Sequence, residues 1–149
     1  MAIRLHSRAG TLLAVGCLLI AASCDNATGP DAVEGTYTLV SLNGSALPYD
    51  NDGLGCCWYQ AGALVLADAH YAASITARNF SGSDPFTATE WGRYTHAGDS
   101  LTFARDSFDV AALLLSPATV EGNVVELGLG GEGPGSPDQF LARFVRAPE

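Results

Sequence analysis

The chain has 149 residues, 48% of them hydrophobic, with sixteen acidic side chains against seven arginines and no lysine. The formal charge of −9 repels phosphate backbones, which excludes nucleic acid as a partner. Beyond position 23 there remain 126 residues, enough for one domain with its own core.

The first element is a leader. Arg4 and Arg8 precede an apolar run from Ala9 to Ala22. That run is 14 residues long, short of the roughly 18–20 needed to span a bilayer. Ala21-Ala22-Ser23-Cys24 follows, and the chain turns polar at Asp25 and Asn26. A positive start, an apolar stretch and a small-residue junction are the parts of a secretory signal. The cysteine at the junction resembles a bacterial lipobox, with Ala21 where Leu is usual. The resemblance implies that Cys24 takes a diacylglycerol and becomes the mature N-terminus. Residues 1–23 then form the signal peptide, 24–33 the lipidated cysteine and a flexible tether, and 34–147 the domain. The expected location is the cell envelope, with a membrane as partner through the lipid. After cleavage five arginines face sixteen acids, a formal charge of −11.

From Val33 onward apolar residues come in short runs broken by turn residues, without a helical period. The pattern predicts strands over Gly35–Leu42, Trp58–Ala67, Tyr71–Arg78, Thr87–His96, Ser100–Arg105, Ala112–Val120, Val124–Leu129 and Gln139–Arg146. In the third, Tyr71, Ala73, Ile75 and Ala77 share one face, as in a half-buried antiparallel strand. Asn43-Gly44, Asp68-Ala69-His70, Ala97-Gly98-Asp99 and Glu121-Gly122-Asn123 supply turns, while 130–137 (GGEGPGSP) is loop. The fold class is therefore all-β, an antiparallel up-and-down meander of about eight strands. Such a sheet removes its exposed edges by closing into a barrel. Gly35-Thr36-Tyr37-Thr38 is echoed by Gly92-Arg93-Tyr94-Thr95. Glycine there allows close backbone approach, and tyrosine supplies a large inward side chain.

GTYTLVSLNGSALP, GALVLADAHYAASI, WGRYTHAGDSLTF and the closing FLARFV resemble the small lipocalin-like lipoprotein domains of bacteria. The resemblance covers Val33 to Val145. Lipocalins carry G-x-W on the first strand, with an arginine of the last strand packed over the Trp. The resemblance makes Gly35-Thr36-Tyr37 the counterpart, with Tyr for Trp, and Arg143 or Arg146 the arginine. It implies a barrel that encloses a small apolar ligand.

Outside the leader the unusual pair is Cys56-Cys57, beside Trp58 and Tyr59. An oxidising envelope allows a strained vicinal disulfide; two free thiols, or a disulfide between molecules, are the other readings. No Cys or His cluster stands at ligand spacing, so no metal is expected. Asp50-Asn51-Asp52-Gly53 fails the calcium-loop template at Leu54 and Ala61. His70 and His96 fall at hairpin turns. There is no nucleophile elbow, zinc-protease motif, P-loop or dinucleotide-binding glycine pattern. Glu90 would gain a raised pKa if buried against Trp91, but the strand pattern is read as turning it outward. Four aromatic residues, Tyr37, Tyr71, Tyr94 and Phe103, are the expected lining of any cavity. The functional expectation is non-enzymatic binding of a small apolar molecule or lipid, without a cofactor. The alternative is a filled barrel that acts as an interaction module through its Cys56-Cys57-Trp58-Tyr59 surface.

Overall fold

The computed structural model describes residues 33–50, 57–79, 84–130 and 139–148. The leader, Cys24 and the tether up to residue 32 lie outside the described residues. Among the described residues there are ten strands: β1 (Gly35–Leu42), β2 (Ser45–Ala46), β3 (Tyr49–Asp50), β4 (Cys57–Ala67), β5 (His70–Asn79), β6 (Phe86–Ala97), β7 (Ser100–Asp109), β8 (Ala118–Glu121), β9 (Val124–Leu129) and β10 (Phe140–Arg146). From β4 to β10 each strand pairs antiparallel with the next, and β1 pairs with both β10 and β4. These eight close an antiparallel barrel. The two-residue strands β2 and β3 are short additions to β1 and β4.

The barrel has two unlike ends. At one, Ala67↔His70, Ala97↔Ser100 and Glu121↔Val124 are joined by two-residue turns. Asp68, Ala69, Gly98 and Gly122 take left-handed φ of 51°, 59°, 59° and 59°, the conformation that matches a tight hairpin to strand twist. At the other end β5, β7 and β9 run out toward the longer connections, of which 110–117 is described. Tyr37, Leu64, Leu66, Tyr71, Tyr94, Leu101 and Val125 pack the tight-turn half and are almost wholly buried.

Period-two alternation builds each wall. On β5 Tyr71, Ala73, Ile75 and Ala77 are buried and their neighbours are more exposed. On β6 the inward row is Ala88, Glu90, Gly92 and Tyr94. The two echoed glycines both serve close approach. A Cβ on Gly92 would collide with the carbonyl of Ala104 on β7, and one on Gly35 would stand 3.1 Å from Arg146 Nε. The tyrosine two residues after each points inward and is buried. Arg146 lies over Tyr37, its guanidinium carbon 5.1 Å from the ring centroid. Its Nη2 donates to the Tyr37 hydroxyl at 2.7 Å, and that hydroxyl donates to the carbonyl of Val33 at 2.7 Å. Arg143 instead pairs with Glu126 on the surface, at 3.5 Å.

One expected strand is corrected. Residues 112–117 are irregular, and β8 begins only at Ala118. Val110 and Leu114 take φ of 68° and 53°, which breaks extended backbone, and Pro117 has no N–H to give a ladder. In consequence β7 and β8 share only the pairs Ser100↔Thr119 and Leu101↔Ala118. Beyond these, residues 113–116 run beside β9 in place of a strand. Ser116 N–H donates to Gly128 O at 3.0 Å, Gly128 N–H to Ser116 Oγ at 2.7 Å, and Gly130 N–H to Leu113 O at 2.8 Å. Strand β7 also runs four residues further than expected. Its extension, Asp106–Asp109, is exposed throughout and so lacks the alternation that marks a strand in sequence.

Candidate ligand-binding site

A cavity of about 240 Å³ lies at the end of the barrel that bears the longer connections. It is formed where inward residues at the strand ends meet the 110–117 connection. Leu42, Ile75 and Leu129 give an aliphatic wall, and Tyr59, Phe86 and Phe140 an aromatic one. Ala111, Ala112 and Leu113 complete it from the irregular segment. Among these lining residues none carries a charge, and the Tyr59 hydroxyl is the one polar side-chain group. Tyr59 belongs to an aromatic cluster, 5.4 Å from Phe140 and 6.4 Å from Tyr49, with Tyr49 6.3 Å from Phe140 in an edge contact. Burial, and secondarily the nearby Tyr49, raise the Tyr59 pKa above the ordinary phenol value, so it remains a neutral group.

Below this cavity sits a carboxylate. Glu90 is 1% exposed. Its Oε1 accepts the Tyr71 hydroxyl at 2.9 Å, and its Oε2 accepts the N–H groups of Leu113 at 2.9 Å and Leu114 at 3.0 Å. Arg105 Nη1 stands 3.6 Å from Oε2, an electrostatic neighbour beyond hydrogen-bond length. That guanidinium also lies 5.4 Å over the Phe108 ring. Burial foremost, and then the hydrogen bond and negative charge of Glu90, push the Tyr71 pKa well above the ordinary value for a phenol.

A stability consequence follows. A tyrosine whose pKa is raised by folding contributes stability that is fully present below pH 10 and is lost as pH rises through the folded value. The unfolding midpoint is expected to fall progressively above pH 10, and Tyr71→Phe to flatten that decline. Thermal unfolding of both proteins between pH 8 and 11.5 checks this; parallel curves would refute it.

The expected site residues are distributed as follows. Tyr37, Tyr71, Tyr94 and Phe103 do not line this cavity. They occupy the tight-turn half, where Tyr94 faces Phe103 across β6 and β7 and Tyr71 packs edge-on to Phe103 at 5.0 Å. Of the hydroxyls expected to orient a ligand, those of Tyr37 and Tyr71 are used inside the protein. Cys56 lies outside the described residues, as does the side chain of Cys57. Trp58 is exposed, whereas Tyr59 turns toward the cavity. His70 opens β5, with Nδ1 2.8 Å from the Asp68 carbonyl oxygen. No group of three or more metal-ligating side chains is assembled among the described residues.

Glu90 is a correction. It points inward, while Trp91 is the outward neighbour at 40% exposure, so the ring does not cover the carboxylate. The signal was present in the sequence. Counting back by twos from inward Tyr94 reaches Gly92, Glu90 and Ala88, which places an acid in the core row. Comparison of the chain with protein-family models, curated proteins and solved structures finds no match in any of the three.

Proposed function

We propose that this protein is an exported, lipid-anchored, lipocalin-like barrel that binds a small neutral apolar molecule without catalysing a reaction on it. The observation that carries the reading is the uncharged cavity at one end of the barrel. The arginine of the last strand over the Tyr37 ring supports the lipocalin-like part, since Arg146 and Tyr37 stand where that resemblance asks for such a pair.

Cavity chemistry narrows the ligand. An apolar cavity of about 150 Å³ takes benzene, and sites for drug-sized ligands start at about 300 Å³. A space of about 240 Å³ therefore suits a bicyclic aromatic or a medium-length alkyl chain. Among the described residues no cation lines it, so a free carboxylate would be buried unpaired, which is costly. A neutral ligand with one hydroxyl or carbonyl for Tyr59 fits. Burying about 250 Å² of apolar ligand surface at about 25 cal/mol per Å² gives roughly 6 kcal/mol before the cost of association, which sets a Kd on the order of tens of micromolar or weaker. The rival reading, an interaction surface at Cys56-Cys57-Trp58-Tyr59, is weakened because Tyr59 faces the cavity.

Titration calorimetry with 1-naphthol tests the proposal. Saturable binding in that range is expected, and Ala88→Leu, which puts a larger side chain at a lining position of the cavity, is expected to weaken it at least about tenfold while the protein stays folded. Absence of binding to the folded wild type would refute the reading.

A further inference from the structure

We propose that the segment Val110–Ser116 is the gate of this cavity and that Glu90 is its latch, a proposal that rests on reading the cavity as a binding site. The segment forms part of the cavity wall through Ala111, Ala112 and Leu113. It lies outside the regular ladder. Val110 and Leu114 hold left-handed φ of 68° and 53° without being glycine, a conformation that persists only when neighbouring contacts impose it. Strand β7 gives it no continuous support, because its pairing with β8 ends at Leu101.

Leu113 and Leu115 pack against the core, and hydrogen bonds hold the segment on two sides. On the β9 side are the hydrogen bonds of Leu113 and Ser116 with Gly128 and Gly130. On the inner side a single oxygen, Glu90 Oε2, takes the N–H groups of Leu113 and Leu114. The inner contact suits a reversible hold. When the segment lifts, both N–H groups pass to water. Glu90 meanwhile keeps the Tyr71 hydroxyl and the Arg105 guanidinium, so neither position leaves a buried charge without a partner. The strained backbone favours release, and the carboxylate favours closure. A ligand seated against Ala111, Ala112 and Leu113 gains room to enter and leave when the segment lifts.

Hydrogen exchange on the unliganded protein tests the latch. In the wild type the amides of Leu113 and Leu114 are expected to exchange at least about a hundredfold faster than those of Leu64 and Leu66 in the β4–β5 ladder, by local opening that denaturant does not accelerate. Glu90→Gln keeps the shape but replaces one acceptor oxygen with a donor. It is expected to speed exchange at 113 and 114 by about tenfold more, with the ladder unchanged. The same variant is expected to raise association and dissociation rates of 1-naphthol together, leaving Kd within about threefold. Exchange at 113 and 114 in the wild type only through global unfolding, with the rate and denaturant dependence of the ladder, would overturn the proposal whether or not the variant folds. Uptake of 1-naphthol at a rate indifferent to Glu90→Gln would overturn the gate while the binding site stands. Local opening without any uptake would support the latch and refute the binding site.

Discussion

Gly92→Ala is expected to destabilise the barrel by at least about 3 kcal/mol, the upper part of the range for overpacking. The added Cβ would meet the Ala104 carbonyl and stand 2.9 Å from both Arg105 Cα and Asp106 N. All three are backbone atoms of β7, so no side-chain rotation relieves the clash. The register between β6 and β7 shifts at this point, between Trp91 and Gly92, and β7 comes close because glycine leaves room for it. Relief requires moving β7, which carries Phe103 against Tyr71 and Arg105 toward Glu90. Such a loss is a large share of a total of about 5–15 kcal/mol. Gly35→Ala is expected to destabilise for a different reason, because Gly35 holds φ of 144°, a conformation that a residue with a Cβ rarely adopts, and the Cβ would also stand 3.1 Å from Arg146 Nε. Urea unfolding of the two variants beside the wild type decides the point. A Gly92→Ala midpoint equal to that of the wild type would mean that the strands do not approach as described.

Cys24→Ala is expected to move the protein from the membrane fraction to the soluble one. On the proposed reading the thiol carries two acyl chains. Each buried methylene contributes about 0.8 kcal/mol, and one myristoyl chain gives only marginal binding, so two chains make the difference between visiting a membrane and staying on it. Among the described residues no helix is long and apolar enough to cross a membrane. On the same reading the cleaved chain has a formal charge of −11, which repels anionic lipid, and no lysine to offset this. Fractionation of cells that express either form is the measurement; an unlipidated wild type, or a variant still held in the membrane fraction, would refute the anchor.

Much of the barrel was legible because period-two alternation and turn chemistry are local. Strands β1 and β9 fall where the pattern places them, and Asn43-Gly44 and Gly122-Asn123 turn as their types require. The 112–117 segment misled because Ala111-Ala112-Leu113-Leu114-Leu115 is apolar enough for a strand. Its amides answer to a carboxylate on another strand, and no local rule carries that information. The four aromatic residues stand apart from this cavity for a related reason. Tyr37, Tyr71, Tyr94 and Phe103 read as large inward side chains, and three of them are buried while Phe103 packs against the core. Which end of the barrel an inward residue occupies is set by its distance from the tight turn. Tyr71, Tyr94 and Phe103 sit near tight turns and Tyr37 reaches that end by pairing with Leu64 and Arg146, whereas Phe86 and Phe140 open their strands at the other end. Hairpin direction thus separates packing from lining, and size alone does not.

The pairing of β1 with both β10 and β4 also governs the order of assembly. Tyr37 and Arg146 are 109 positions apart, and Asn43 bonds Leu141 across 98. Neighbouring hairpins from β4 to β9 can form as soon as their residues are made, but no stretch of chain that stops short of β10 contains a closed barrel. Contacts of such long range slow folding. The chain therefore stays open, with its first strand lacking one of its two neighbours, until synthesis has delivered β10.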